Sequence, residues 1–131
     1  MTPYYERDGI TIYCGDCLEV MPRLDCVFDM IFSDVPYRCI SGGPSRIFEV
    51  NDGKRFFHND VTAFDYASMF FAWIRDPAHC YIMINPLNLE DTLTEFRLAG
   101  FQFHNLLTWA KGNKIANRWY MQESEPILFF R

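Results

Sequence analysis

At 131 residues the chain is one domain-sized unit, residues 1–131, long enough for a single apolar core. Half of it is hydrophobic and 18% aromatic, so a large apolar surface has to be buried. A net charge of −5 has the wrong sign for binding nucleic acid through bulk phosphate neutralisation.

No apolar stretch approaches the roughly 20 residues that cross a bilayer, and the N-terminus lacks a signal-peptide h-region. The expectation is a cytoplasmic protein with no membrane partner. The five cysteines, at 14, 17, 26, 39 and 80, are odd in number and scattered, which suits reduced thiols better than a disulfide framework. Cys14-Gly15-Asp16-Cys17 has zinc-like spacing but no second pair, so no metal site is expected.

In chain order, residues 9–14 are β-branched and aromatic and predict a strand, ended by Gly15-Asp16. Residues 17–23 predict a short helix disturbed at Pro22. Residues 28–33 form an apolar run that predicts a second strand. Residues 38–60 predict a long loop, with turn signals at Ser41-Gly42-Gly43-Pro44 and Asn51-Asp52-Gly53. Residues 65–75 predict a helix with Asp65 near its N-cap and Met69, Phe70 and Trp73 on one face. Residues 79–84 predict a central strand. Residues 88–99 predict a helix capped by Asn88, with Glu90 and Asp91 at its positive end and Gly100 as its stop. Strands at 101–109 and 126–130, joined by a loop at 113–123, close the pattern as antiparallel neighbours. Strands alternating with helices predict an α/β fold with a mainly parallel sheet, a C-terminal antiparallel strand and helices on both faces.

The chemistry concentrates in Asp34-Val35-Pro36-Tyr37, directly after the second predicted strand. In open α/β sheets the carboxyl ends of the strands are where ligands bind. An acceptor carboxylate beside a stacking ring is equipped to hold a flat base that carries an exocyclic amino group. The same four residues also fit a strand-ending turn with an Asx cap and a surface tyrosine. Arg38, Arg46, Lys54 and Arg55 follow the tetrapeptide, and Lys111, Lys114 and Arg118 form a second basic group. Two basic loops on an acidic body fit local phosphate contacts, and equally fit solvated loop charges.

Asp34-Val35-Pro36-Tyr37 resembles the Asp-Pro-Pro-Tyr signature of the amino-methylating DNA methyltransferases. The opening from Tyr5 to Met21 is similar to the start of the beta-type, phage-like members of that family, and Pro36 to Gly43 to the loop after their catalytic strand. The blocks from His79 to Asn85, Asn113 to Met121 and Glu125 to Phe130 are similar to the family's next three, in order. The resemblance covers nearly the whole chain and implies a partial Rossmann-like methyltransferase sheet.

It also implies methyl transfer from S-adenosylmethionine to a base flipped out of DNA. Asp34 and the Val35 carbonyl would accept from the amine and Tyr37 would stack on the base, with Pro36 holding the turn. Asp16 and Cys17 would contact the donor's adenine end and Asp34 its methionine end. Arg38, Ser41, Arg46, Lys54, Lys111, Lys114, Arg118 and Trp119 would face DNA, although Trp119 and Tyr120 equally fit core plugs. Asp in the tetrapeptide's first position favours adenine-N6 over cytosine-N4.

Two departures bear on this. Val35 stands where the family has proline, and no Gly-x-Gly donor turn occurs. A truncated or split form is therefore expected, with the second predicted strand exposed as an edge unless residues 10–14 move beside it. Long apolar edges associate, so a homo-oligomer or a complementing chain is expected. Two classes remain open: a DNA methyltransferase, or a non-catalytic DNA-binding or interaction protein derived from one.

Overall fold

The computed structural model describes residues 1–35, 62–115 and 122–131, with the backbone alone at 114, 115 and 122. Strands β1 (Tyr5–Arg7) and β2 (Ile10–Ile12) form an antiparallel hairpin where a single strand was expected. The turn is Asp8-Gly9, with φ of 52° and 78°. Those left-handed angles are what a two-residue turn needs to match strand twist, and Asp-Gly supplies them at low cost. Helix α1 (Cys17–Val20) runs into a 3-10 turn, Met21–Arg23, that contains Pro22.

β3 (Phe28–Asp34) pairs in parallel with β4 (Ile74–Met83), with Ile31 opposite Cys80 and Asp34 opposite Met83. Between them runs α2 (Ala63–Trp73). Its N-cap is Thr62, with Asp65 close by at the third helical position, as expected. The Thr62 hydroxyl accepts from the Asp65 N–H while the Asp65 carboxylate accepts from the Thr62 N–H at 2.7 Å, a reciprocal capping box. Those bonds from Thr62 hold the Asp65 carboxyl below its ordinary pKa.

α3 (Leu89–Ala99) follows a 3-10 turn, Pro86–Asn88, which the Asn85 side chain caps by accepting from the Leu87 N–H at 3.0 Å. Asn88, expected to cap α3, makes no such bond. Gly100 stops the helix as expected, at φ 112°. A Cβ there would sit 2.7 Å from the Phe71 ring, so the position is closed to side chains twice over.

β5 (Phe103–Ile115) and β6 (Gln122–Phe130) are antiparallel neighbours, both longer than expected. The sheet order is β3-β4-β6-β5. The α/β class and the antiparallel C-terminal strand stand, but the sheet is mixed. One pairing is parallel and two are antiparallel, because β6 inserts between β4 and β5. Among the described residues β3 pairs with β4 alone, so it is an edge. The β1–β2 hairpin stays a separate sheet and does not move beside it.

α2 and α3 lie on one face, where Tyr66, Ala67, Phe70 and Phe96 pack onto Ile31, Val35, Cys80, Ile82, Ile84, Leu128 and Phe130. Phe96 stacks on Phe130 at 4.8 Å between ring centres and touches Phe70 and Phe101. Helices were expected on both faces. The opposite face is instead open at Met30 and Phe32, 58% and 59% exposed. Phe32, Tyr81 and Phe129 form an aromatic row across it, with His79 and His104 against Phe129. Among the described residues no helix is long and apolar enough to cross a membrane.

Candidate functional site

Alternation along β3 decides what Asp34 can reach. Ile31 and Val35 point into the core, so Met30, Phe32 and Asp34 point to the open face. Asp34 is the last residue of β3 and is exposed, at the carboxyl end of the parallel pair. Its register row runs through Met83 and Ile127 to Leu107. A carboxylate at a strand end, beside a buried Met83 and half-buried Ile127, can accept hydrogen bonds from a flat polar group laid over that row. Val35 is buried in the core, which gives its side chain an apolar seat while its backbone continues from the strand.

Asp16 and Cys17 lie elsewhere. Asp16 accepts from the Leu18 N–H at 2.9 Å and so caps α1. Burial raises the pKa of Tyr66 on α2, and the nearby Cys17 and Asp16 raise it further. Cys17 also lines a cleft of about 520 Å³ with Thr11, Tyr13, Met21, Cys26 and Phe28.

Lys111, expected on DNA, forms an ion pair with Glu125 on β6; each is only 23% exposed. Its ammonium lies over the Trp109 ring, 5.2 Å from the ring centre. Trp109 and Glu125 are paired across the ladder on the face that carries Asp34, beyond its row. Trp109 closes the strand predicted at 101–109, and Lys111, two residues on along the same observed strand, must share its face. Pro36, Tyr37, Arg38, Ser41, Arg46, Lys54, Arg118, Trp119 and Tyr120 lie outside the described residues, as does the Lys114 side chain. Among the described residues no group of three or more His, Cys, Asp or Glu is placed to hold a metal ion.

No family model matches the chain. It is 26% identical over 145 residues to the Type II methyltransferase M2.LlaDCHI of Lactococcus lactis subsp. cremoris, a match covering 98% of this chain and 53% of that protein. Its fold is similar to the crystal structure of the M1.HpyAVI–SAM complex, with a TM-score of 0.58 at 14% identity over 87% of this chain and 48% of that one. A second M1.HpyAVI crystal structure matches with a TM-score of 0.59 at 14% identity, over 88% of this chain and 51% of that one. The chain thus spans about half the length of these proteins.

Proposed function

We propose that this chain is the target-base portion, as one domain, of a cytoplasmic, S-adenosylmethionine-dependent DNA methyltransferase of the beta type, acting on adenine N6. The observation that carries the reading is Asp34. It ends an apolar strand at the ligand end of a parallel pair, with its carboxylate on the exposed side. The similarity to a Type II methyltransferase over 98% of the chain supports it. An exocyclic amine is a poor nucleophile because its lone pair is delocalised into the ring. Asp34 and the Val35 carbonyl, accepting its two N–H bonds, favour the pyramidal geometry in which that pair becomes available. Attack on the donor's methyl carbon then forms the N–C bond as the sulfonium C–S bond breaks. The sulfur departs as a neutral thioether, and the amine's surplus proton passes by way of the exposed Asp34 carboxylate, which already accepts from that N–H, to water. S-adenosylmethionine supplies the activated methyl group.

Val35 packs into the core, which supports a fixed direction for its carbonyl despite the missing proline. In this reading Tyr37 stacks on the flipped base, Asp16 and Cys17 serve the donor, and the basic residues at 38, 46, 54, 114 and 118 meet phosphate. The β3 edge and the open aromatic face are covered in the working molecule by a second copy or a complementing chain.

Methyl transfer from labelled S-adenosylmethionine to DNA tests this, with the modified base identified by mass spectrometry. N6-methyladenine is the expected product. Asp34→Ala is expected to lower the rate about 10²–10³-fold, the loss typical of removing one preorganised transition-state partner, without changing thermal stability. Transfer at an undiminished rate by that variant, or no transfer and no donor binding even with a complementing chain, overturns the reading.

A further inference from the structure

We propose that Trp109 is a base-stacking contact to DNA and that Lys111 positions it rather than neutralising a phosphate. The inference rests on the methyltransferase reading above but concerns a different nucleotide. Trp109 lies on β5 and Asp34 on β3, three strand spacings apart, or about 14 Å at 4.7–4.9 Å each. One base cannot touch both.

Three observations converge on the indole. It is 48% exposed, on the sheet face and at the end where Asp34 stands. Its orientation is held by the Lys111 ammonium over the ring, a contact of the kind that stabilises cation and π-face together. Lys111 is in turn held by Glu125 on the neighbouring strand. A lone exposed apolar side chain needs no explanation. An exposed indole whose setting is fixed by a cation, itself fixed by an anion from another strand, is a preorganised platform. Every base has a π-face, so such a platform takes a base regardless of its identity.

The same geometry changes the role of Lys111. Its charge is already matched by Glu125, and it is mostly buried. A cation in that state releases few counterions when a phosphate approaches.

The test is equilibrium binding of the chain to a fluorescein-labelled, adenine-containing single-stranded oligonucleotide at several salt concentrations. Trp109→Ala is expected to weaken binding at least tenfold, within the range measured for loss of an aromatic stack, and Trp109→Phe to stay within about threefold of the parent. Lys111→Met is expected to weaken binding several-fold with an unchanged salt slope, and Lys111→Arg to restore it. A phosphate-contacting lysine would instead lower the slope by about 0.7. That slope loss overturns the role given to Lys111, and parental affinity in Trp109→Ala overturns the stacking contact while leaving the methyltransferase reading intact. If the parent chain binds no oligonucleotide, both fall.

Discussion

At the scale of single residues, burial separates the chemistry of the cysteines. Cys14, Cys17 and Cys26 are exposed, whereas Cys80 is fully buried in the middle of β4. Loss of hydration pushes the Cys80 thiol up to about 12. An unfolded thiol ionises near 8.5. Above that pH the unfolded chain has released a proton that the folded chain retains, so stability is intact at lower pH and declines up to about 12. The slope from this one group is ~1.4 kcal/mol per pH unit. Urea midpoints at pH 8 and pH 10.5 should show a smaller decline in Cys80→Ala than in the parent. Alkylation followed by peptide mass spectrometry should label positions 14, 17 and 26 well before 80. Cys80 labelled as fast as the others would contradict its burial.

At the scale of elements, α3 is held by stacking on the sheet and by the way it ends. Phe96 is fully buried against Phe130, Phe70 and Phe101. Phe96→Ala is expected to cost about 3–5 kcal/mol, because the rings around it cannot all close into the space. Gly100→Ala should cost more than about 1 kcal/mol, since the new methyl group meets the Phe71 ring at a left-handed backbone position. Denaturant unfolding measures both, and a Gly100→Ala chain as stable as the parent would show that Phe71 moves freely. The α2 capping box adds a pH-dependent element. Asp65 is held below its ordinary pKa by Thr62, so its support is present above the usual carboxylate range and is lost as pH falls through the lowered value. Helical content of Thr62→Ala should accordingly respond less to acid than that of the parent.

At the scale of the whole molecule, the two faces of the sheet are unequal. One carries α2 and α3, while the other shows Met30, Phe32, Tyr81, Phe129 and Leu107 with partial or no cover. The edge strand β3 contributes two of those residues. Exposed edges with apolar side chains invite pairing. Light scattering after size exclusion should find concentration-dependent association of the chain, reduced by Phe32→Lys. A monomer at every concentration would count against the association argued from the edge.

What could be read without coordinates was whatever neighbours within a few residues decide. The apolar run from Phe28 to Ser33, the stop at Gly100 and the antiparallel closing pair depend on local period and turn chemistry. So does the placing of Asp34 at a strand end, where its proposed chemistry needs it. The Asp8-Gly9 turn is equally local, its left-handed angles set by those two residues. The insertion of β6 beside β4, the partly open aromatic face and the meeting of Trp109, Lys111 and Glu125 are of another kind. They require residues distant along the chain to come into register, and register is settled by which apolar rows can be buried together, a sum over the whole sheet that no short window contains.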